Sequence, residues 1–480
     1  MSTALIILAA GMGTRMNSDL PKVLHQIAGA PLLIHAMKAG AAVAPERTVI
    51  VTGHGAAQVE QAAREWDEDT QFALQAEQNG TAHAVAQARE ALAGFSGDVI
   101  VLYGDTPFIQ PETLEAMVQA RARHDVVVLG FTAADPDRYG RLVMDGTALE
   151  RIVEYKDATD QERAITLCNS GVICADCETL FSLIDAVDNN NAAGEYYLTD
   201  IVGLARTRGL SATAVTCDES ETLGINSRAE LAAAETAWQS RARQIAMEDG
   251  VTLLAPETVF FAHDTVVGRD TVIEQNVVFG PNVTVESNAR IRAFSHLEGC
   301  HVSQRAIVGP FARLRPGAEL AEDVHVGNFV EIKNAYLDEG AKANHLTYIG
   351  DASIGKATNI GAGTITCNYD GVMKHHTEIG ANAFIGSNTM LVAPVRVGHR
   401  AMTASGSVIT TDIPDEALAL ARAKQVNKPG LATKLFDILK KQKEKRQKEL
   451  NNVRYCRGSG RPRSSAHSGR SPETAGISRL

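Results

Sequence analysis

Two hydrophobic patterns of different period divide the chain. In the first half, short aliphatic runs such as Ala4–Leu8, Thr48–Thr52 and Asp98–Tyr103 alternate with stretches of helix-forming residues, and a glycine follows each run closely. Uninterrupted aliphatic runs are typical of strands that are buried on both faces of a parallel sheet. The alternation predicts an open, mainly parallel α/β sheet, in which ligands bind at the carboxyl ends of the strands.

A period of six residues governs the second half. Aliphatic side chains recur at every sixth position with small shifts of register, and glycine often follows them directly. Six does not match the helical repeat, and loops are not so regular. The pattern predicts a parallel β-helix of hexapeptide repeats, in which one aliphatic side chain per short strand points inside. The inward positions are Val267, Ile273, Phe279, Val285, Ile291, Leu297, Val302, Val308, Leu314, Leu320, Val326, Ile332, Ile349, Ile354, Ile360, Ile379, Ile385, Leu391, Val397 and Ile409.

A helical stretch separates the two patterns. From Ser227 onward the sequence is rich in Ala, Glu, Gln and Arg, with apolar residues spaced for one helical face. We therefore predict an α/β domain, a helical linker, a β-helix domain and a basic C-terminal tail. Their boundaries are residues 1–226, 227–248, 249–424 and 425–480.

Charge and cysteine content narrow the class of protein. The net charge of -11 combines an acidic body with a basic end, because residues 431–480 carry 13 Lys and Arg against 4 Asp and Glu. An acidic body argues against nucleic-acid binding, and no apolar run is long enough to span a membrane. Seven scattered cysteines, with Cys174 and Cys177 as ordinary thiols, fit a reducing compartment. We expect a cytoplasmic protein without a signal peptide.

The first strand opens into a glycine-rich loop that suggests phosphate binding. Gly11 and Gly13 would let backbone N–H groups approach an anion, and Arg15 and Lys22 follow as separate cations. A tight turn without a ligand is the alternative. Met16 stands where a dinucleotide fingerprint needs its third glycine, and Lys22 lacks the following Ser or Thr of a Walker loop, so both of those sites are excluded.

Two further loops follow predicted strands. Asp105 comes just after the run Asp98–Tyr103, where a carboxylate is well placed to hold Mg²⁺ together with substrate phosphates. A turn or helix-cap aspartate is the alternative. The stretch Gln75–Thr81 offers an amide side chain and accessible backbone that suit the edge of a nucleotide base, or it is an ordinary surface loop.

Polar residues interrupt the hexapeptide pattern. Arg315 and Lys333 could bind a phosphate, and His345 could accept a proton, since the pKa of histidine normally lies near working pH. The alternatives are a β-helix that serves only assembly and an ordinary surface histidine.

Over about residues 4–424, these motifs resemble a known enzyme family. The loop Leu8–Met16, the Leu20-Pro21-Lys22 and Tyr103-Gly104-Asp105 motifs and the polar blocks of the β-helix resemble the bifunctional N-acetylglucosamine-1-phosphate uridylyltransferases and glucosamine-1-phosphate N-acetyltransferases. The resemblance implies a Rossmann-like nucleotidyltransferase domain, a connecting helix and a left-handed parallel β-helix that associates as a homotrimer. The β-helix is about one coil short against the family pattern, which should shorten the column and leave both sites in place.

In the first domain, the resemblance implies a site for UTP and the UDP-sugar, with a second Mg²⁺ ligand at Asn226 beside Asp105. Arg15 and Lys22 would act on the phosphates, and a sugar 1-phosphate oxygen would attack the α-phosphorus of UTP without a general base. The site would comprise Leu8, Ala9, Ala10, Gly11, Lys22, Gln75, Gly80, Thr81, Tyr103, Gly104, Asp105, Gly140, Glu154, Asn169 and Asn226.

In the β-helix, the resemblance makes His345 the general base that frees the substrate amine to attack acetyl-CoA. The family has alanine at the position of Ser405, so a backbone contact is expected there. The sugar-phosphate group comprises Arg315, Lys333, Tyr348 and Asn359, and the acetyl-CoA group comprises Ala362, Asn368, Tyr369, Ser387, Ser405 and Arg422.

Three functions follow, of which the first is favoured. It is a bifunctional enzyme that uses acetyl-CoA, glucosamine 1-phosphate, N-acetylglucosamine 1-phosphate and UTP in making UDP-N-acetylglucosamine for cell-envelope polymers. The second is a nucleotidyltransferase whose β-helix only builds the oligomer, and the third is a nucleotide-binding regulator without turnover. Asn451–Leu480, rich in Arg, Ser, Gly and Pro, match nothing in the family and are expected to be disordered.

Overall fold

The computed structural model describes residues 2–458, with side chains through residue 450. They form two compact units, one ending at Ala421 and the other beginning at Arg422, and each is described by itself. No helix in the described part of the chain is both long and apolar enough to cross a bilayer.

The first unit begins with a twisted sheet flanked by helices. Its strands are β1 (Thr3–Leu8), β2 (Gln26–Ile27), β3 (Ala30–Pro31), β4 (Arg47–Thr52), β5 (Gln71–Leu74), β6 (Asp98–Tyr103), β7 (Val126–Thr132), β8 (Arg141–Asp145), β9 (Ala148–Val153), β10 (Leu167–Asp176) and β11 (Ala212–Cys217). Its helices are α1 (Leu32–Ala41), α2 (Ala56–Trp66), α3 (Thr81–Gln87), α4 (Pro111–Arg121), α5 (Asp160–Arg163), α6 (Cys177–Ile184) and α7 (Asp200–Thr207).

The main path of the sheet runs in the order β11-β7-β10-β6-β1-β4-β5, and the predicted parallel character holds with one exception. β10 is antiparallel to both β6 and β7, and the hairpin of β8 and β9 pairs beside it. The hydrophobic pattern did not reveal this strand direction, because an aliphatic strand buried on both faces has the same pattern in either direction.

Alternate residues of the central strands serve two separate cores. Ile6 and Val101 pack in the cluster on one face of the sheet, and Ile7 and Leu102 pack in the cluster on the other. Side chains of a strand point alternately to the two faces, so a continuous aliphatic run is needed to fill both. This arrangement leaves the carboxyl ends of β1 and β6 side by side in register, from Thr3 opposite Asp98 to Leu8 opposite Tyr103.

Helix α8 (Arg228–Glu248) connects the sheet to the β-helix. It begins with a capping box, in which Ser227 accepts a hydrogen bond from the backbone of Glu230 and the Glu230 side chain accepts one from the backbone of Ser227. Ala234 is buried against the first domain, and Trp238 packs on both the domain core and the β-helix core. The helix is therefore held on both sides.

The second half of the unit is a parallel β-helix. Its strands are β12 (Thr252–Leu253), β13 (Val266–Val267), β14 (Val272–Ile273), β15 (Val278–Phe279), β16 (Val283–Val285), β17 (Arg290–Ile291), β18 (His296–Leu297), β19 (Cys300–Val302), β20 (Ile307–Val308), β21 (Arg313–Leu314), β22 (Ala318–Leu320), β23 (His325–Asn328), β24 (Glu331–Leu337), β25 (Lys342–His345), β26 (Tyr348–Ile354), β27 (Asn359–Ile360), β28 (Ile365–Cys367), β29 (Thr377–Ile379), β30 (Phe384–Ile385), β31 (Met390–Val392), β32 (Val395–Val397), β33 (Met402–Thr403), β34 (Val408–Ile409) and β35 (Leu418–Ala419).

Each coil of the β-helix takes three hexapeptides. Ile273 pairs with Ile291, and that strand pairs in turn with the strand of Val308, so successive partners lie one coil apart. The predicted inward positions are all buried except Val267, which is only partly buried in the first coil because no complete coil covers it from above. The hexapeptide prediction is confirmed, and the repeats belong to the left-handed type.

The corners explain the recurrent Asn and Asp residues. Asp270, Asn276, Asn282 and Asn288 all have positive φ, six residues apart. Asn and Asp tolerate this left-handed conformation better than most residues because their short side chains bond locally. One corner is replaced by a hairpin loop between β28 and β29, closed by a bridge between Tyr369 and Lys374.

The second unit contains α9 (Leu431–Gly458), whose described side chains are exposed. The helix continues past Asn451, into the segment that was expected to be disordered. Residues 459–480 lie outside the described residues, so the expectation for them is not tested.

Candidate active sites

A cavity of about 330 Å³ lies where β1 and β6 end. Most of the residues predicted to bind UTP line it, and Gly104 lies directly beneath, donating its N–H to the carbonyl oxygen of Leu8 at 3.0 Å. The predicted residues in the lining are Leu8, Ala9, Ala10, Gly11, Lys22, Gln75, Gly80, Thr81, Tyr103 and Asp105, and the additional ones are Val23, Gln78, Ala84 and Glu195.

The glycine loop makes room for Lys22. Gly13 has φ +59°, and a Cβ there would lie 2.6 Å from the Cβ of Lys22. Any side chain at position 13 would therefore displace the stem of the lysine. Arg15 lies on the neighbouring 3₁₀ turn Thr14–Met16, where it is exposed, does not line the cavity and forms no ion pair with a described carboxylate. Its action on a phosphate stays a prediction.

Lys22 holds together the two residues predicted to bind the metal. Its Nζ donates to the carboxylate of Asp105 and, at 3.0 Å, to Oδ1 of Asn226. The backbone explains this approach of residues far apart in sequence, since Ile225 N–H donates to the carbonyl oxygen of Asp105 at 3.0 Å. Both the Lys22 and the Asp105 side chains are mostly buried.

This geometry fits a magnesium ion. The oxygens of Asp105 and Asn226 converge on a single cationic group, which is what an ion between them would require. No group of three or more His, Cys, Asp or Glu side chains among the described residues is arranged to hold a metal. Mg²⁺ commonly takes one or two protein oxygens and completes its shell with water and substrate phosphates, so two ligands suffice.

Three residues predicted for the sugar side lie together outside the lining of this cavity, in a group that we call the sugar wall: Gly140, Glu154 and Asn169. Asn169 N–H donates to the carbonyl oxygen of Gly140 at 2.9 Å. A Cβ at position 140 would lie 3.4 Å from the Glu154 carboxylate. Burial raises the pKa of Glu154, and a hydrogen bond from Thr199 at 3.2 Å opposes this rise.

Tyr103 lies between the sugar wall and the metal ligands. Burial raises the pKa of its phenol, and the negative charges of Asp105 and Glu154 raise it further. Gly171 has φ +91°, and a Cβ there would lie 2.6 Å from the tyrosine ring. The tyrosine is therefore a neutral hydrogen-bonding group that a glycine allows into the site.

Sequence reasoning did not select Gln78 or Glu195, although both line the cavity. Gln78 Nε2 donates to the carbonyl oxygen of Ala10 at 2.7 Å and so ties the second loop to the glycine loop. The position of Gln78 in the Gln75–Thr81 loop was the available sequence signal. A sequence does not show which amide side chain of a loop points into the cavity.

On the β-helix, His345 is positioned by the coil above it. Its Nδ1 lies 3.0 Å from Oδ1 of Asn328, which stands opposite it in the ladder of β23 and β25. An amide oxygen only accepts hydrogen bonds, so this contact favours the neutral tautomer with the proton on Nδ1 and the lone pair on Nε2. The side chain is exposed.

A cluster of cations lies on the same β-helix. Arg315 Nη1 donates to the Glu331 carboxylate at 2.9 Å. A hydrogen bond and charge repulsion from Lys374 lower the pKa of Lys333, and the charge of Arg315 adds to this effect. Lys374 belongs to the hairpin loop and was not predicted. The break in the six-residue period at that loop was the sequence feature that could have pointed to Lys374.

Asp351 organises the next part of this surface. Burial opposes ionisation, but hydrogen bonds from the amides of Asn334 and Asn368 hold the pKa of Asp351 below its usual value. Tyr348 points over Gly350, where a Cβ would meet its hydroxyl at 2.4 Å.

Asn359, also predicted for the sugar phosphate, is half-buried between the strands of Lys342 and Phe384.

The residues predicted for acetyl-CoA occupy successive coils. Ala362 and Ser387 accept backbone hydrogen bonds from the coil below, at 2.7 and 2.8 Å. Ser405 lies beneath Gly386, where a Cβ would come within 2.6 Å of the serine N. Tyr369 is exposed on the hairpin loop. Arg422 begins the second unit, so its part in this site stays a prediction.

The fold and the two sites define a class of protein. It joins a nucleotidyltransferase domain, in which Lys22, Asp105 and Asn226 meet beside a glycine-rich loop, to a hexapeptide-repeat transferase domain that carries His345. Comparison with known families agrees. Residues 5–168 match the MobA-like NTP transferase domain, and residues 264–299 and 376–411 match the bacterial transferase hexapeptide family.

Similar proteins match this chain over nearly its whole length. "Bifunctional protein GlmU" from Ruegeria sp. (strain TM1040) is 69% identical over 448 residues, covering 93% of this chain and 100% of that protein. The protein of the same name from Ruegeria pomeroyi is 70% identical over 449 residues, covering 94% and 100%. That from Cereibacter sphaeroides (strain ATCC 17025 / ATH 2.4.3) is 69% identical over 450 residues, covering 94% and 99%. The chain belongs to the GlmU family of bifunctional enzymes.

Proposed function

We propose a division of labour between the two domains of a bifunctional enzyme that makes UDP-N-acetylglucosamine. The β-helix domain acetylates glucosamine 1-phosphate with acetyl-CoA. The α/β domain then transfers a uridylyl group from UTP to the resulting N-acetylglucosamine 1-phosphate and releases pyrophosphate. The product is a precursor of cell-envelope polymers such as peptidoglycan and lipopolysaccharide.

The observation that carries the first site is the convergence of Lys22, Asp105 and Asn226 beside a glycine-rich loop. When bound by Asp105 and Asn226, Mg²⁺ neutralises and orients the phosphates of UTP. Lys22 and Arg15 bind the phosphates that carry the developing charge. A phosphate oxygen of the sugar attacks the α-phosphorus, the bond to the β-phosphate oxygen breaks, and no proton needs to be removed because the attacking oxygen is already ionised.

Two other groups of residues would bind the uracil ring and the sugar. Gln75, Gly80 and Thr81 lie at the edge of the cavity where backbone and amide groups suit the uracil ring. The sugar wall suits the hydroxyl and acetamido groups of the sugar, because it presents a carboxylate and backbone groups that are held by internal hydrogen bonds. Alignment of two anionic reactants is the main task of such a site.

For the second site, the carrying observation is the hydrogen bond between His345 and Asn328. It leaves Nε2 free to take a proton from the ammonium group of glucosamine 1-phosphate. The amine then attacks the thioester carbonyl, the C–S bond breaks, and the coenzyme A thiolate leaves and takes up the proton that the new amide nitrogen loses. Arg315, Lys333 and Lys374 supply positive charge for the phosphate, and Tyr348 and Asn359 complete the sugar site. The acetyl-CoA would lie along Ala362, Asn368, Tyr369, Ser387, Ser405 and Arg422.

We also propose a homotrimer, supported by an exposed row of side chains that we call the phenylalanine ladder: Phe294, Phe311 and Phe329. Their rings stack at centroid distances of 4.9 and 5.3 Å. All three occupy corners with positive φ, between 55° and 59°, and about half of each residue is exposed. Bulky residues in this conformation cost of order 1–3 kcal/mol each, which contacts with a second copy would offset.

We place both reactions in the cytoplasm. In support, all six cysteines whose side chains are described are free thiols, as is usual in a reducing compartment.

Two assays test the proposal on one preparation. Release of free thiol from acetyl-CoA with glucosamine 1-phosphate measures the first reaction, and release of pyrophosphate from UTP with N-acetylglucosamine 1-phosphate and Mg²⁺ measures the second. We expect both. Pyrophosphate release without thiol release would instead support a nucleotidyltransferase whose β-helix only builds the oligomer. The absence of both activities would favour a nucleotide-binding regulator without turnover.

A further inference from the structure

Arg141 is the largest of the fully buried side chains, with 1% of its surface exposed. It begins β8, next to Gly140 of the sugar wall. Among the described residues no carboxylate forms an ion pair with it, although buried charges are normally paired. An unpaired cation at this position needs an explanation beyond packing.

Backbone carbonyl groups take the place of the missing carboxylate. Arg141 Nη2 donates to the carbonyl oxygen of Asp137 at 3.0 Å, and Nη1 donates to that of Tyr139. Nε and Nη2 both donate to the carbonyl oxygen of Arg163, at 3.4 and 3.3 Å. The guanidinium group also lies 6.0 Å from the centre of the Tyr155 ring. A planar group with five donors can serve acceptors on several segments at once, which an ammonium cannot do with the same geometry.

These contacts reach both ends of the sugar wall. Gly140 lies between Tyr139 and Arg141 in the loop of residues 137–140, which we call the strap. The hydrogen bonds from Arg141 to the carbonyl groups of the strap therefore fix the backbone conformation at Gly140. Tyr155 directly follows Glu154, and Arg163 packs on the same ring at 4.9 Å. The separation of the Gly140 backbone and the Glu154 carboxylate therefore depends on one buried side chain.

We propose that Arg141 is a positioning residue that sets the width of the sugar wall, and thereby the binding of the sugar 1-phosphate in uridylyl transfer. The inference rests on the proposed function of the α/β domain. Arg141 acts through Gly140 and Glu154 and does not touch the nucleotide loop, so its loss should affect one substrate more than the other.

The test is the pyrophosphate assay on the full chain with Arg141→Met and Arg141→Lys. For Arg141→Met we expect the KM for N-acetylglucosamine 1-phosphate to rise about tenfold, while the KM for UTP changes less than about twofold. Arg141→Lys should give an intermediate rise, because lysine keeps the charge but cannot reach all three carbonyls. Thiol release by the β-helix domain should equal that of the wild type, and the retained KM for UTP reports that the α/β domain has folded.

Arg138→Met is the matched control, because Arg138 lies in the same strap and is exposed. It should leave both KM values unchanged. Equal rises of the two KM values, or a fall in kcat alone, would overturn the inference and leave Arg141 a structural residue. If Arg141→Met does not fold, the same ratio of KM values measured in Arg141→Lys decides. A wild-type chain without pyrophosphate release would instead refute the proposed function itself.

Discussion

The two proposed sites of this chain are built in opposite ways. The nucleotide site collects residues from Leu8 to Asn226, which meet because parallel strands end at one edge of a sheet. The acetyl-transfer site collects residues one coil apart, such as Asn328 and His345, which meet because every coil repeats the one before. The first is sunk in a cavity, whereas His345 and Lys333 lie on a face of the β-helix.

This difference has a consequence for assembly. Loops of one chain can enclose a cavity, as the glycine loop and the Gln75–Thr81 loop do. A regular column cannot, because its strands leave no room for long loops except where the period breaks. The exposed phenylalanine ladder leads along the corner row to Leu346, next to His345. A second copy would supply the cover that the column lacks.

The largest effect is expected from His345→Ala, which tests whether the two sites work independently. We expect acetyl transfer to fall about 10²–10⁴-fold because the amine keeps its proton, and uridylyl transfer to remain unchanged. Thiol and pyrophosphate release on the same preparation measure the two effects. His301→Ala is the control on the same column, since the His301 side chain, within the described part of the chain, bonds only to Glu286. Loss of both activities would show that the sites are coupled and would break the comparison.

The converse test is Asp105→Asn, which keeps the shape of the side chain and removes its charge. Uridylyl transfer should fall about 10²–10³-fold, because the cation that neutralises the phosphates is held less tightly. Acetyl transfer should persist. Asp145→Asn, an exposed aspartate of β8, should change neither activity. Full pyrophosphate release by Asp105→Asn at low Mg²⁺ would rule out a metal ligand at this position.

Phe311→Asn tests whether only one of the two sites needs a second copy. Asparagine already occupies corners with positive φ, at Asn276 and Asn282 for example, so the substitution should relieve backbone strain of about 1 kcal/mol while removing an apolar contact. We expect weaker self-association by analytical ultracentrifugation and lower acetyl transfer, with uridylyl transfer retained. An unchanged oligomer would remove the ladder from the interface.

The smallest effect concerns the pH dependence of stability in the α/β domain. Burial, and then the charges of Asp188, Glu154 and Asp157, raise the pKa of Asp200 to about 6. An acid whose pKa is higher in the folded state binds more protons there, so its contribution to stability declines as pH rises from about 4 to about 6.

Asp200→Asn removes this ionisation. Because Asp200 is only half-buried, we expect the free energy of unfolding to increase by about 1 kcal/mol above pH 6, with no difference from wild type near pH 4. Denaturant unfolding at the two pH values measures it, and Glu178→Gln on an exposed helix position is the control. A gain that is the same at both pH values would mean that the titration of Asp200 is not its source.

Most of the architecture was open to prediction from the sequence. A period of six demands one inward side chain per short strand, and the positions from Ile273 to Ile409 are buried accordingly. Aliphatic runs of five or six residues ended in glycine turns, which placed Asp105 at the edge of the sheet. Both signals are local, because they depend only on the repeat of strand and turn.

Tertiary structure decided the contacts between distant residues, which local sequence patterns do not encode. Four features depend on residues that are distant in sequence or lie on irregular loops. They are the direction of β10, the position of the Lys22 ammonium between Asp105 and Asn226, the inward orientation of Gln78 and the approach of Lys374 to Lys333. The sequence by itself determined which side chains must be inside and where the chain turns. Only folding determined which polar groups then face each other, because that depends on how separate segments pack in three dimensions.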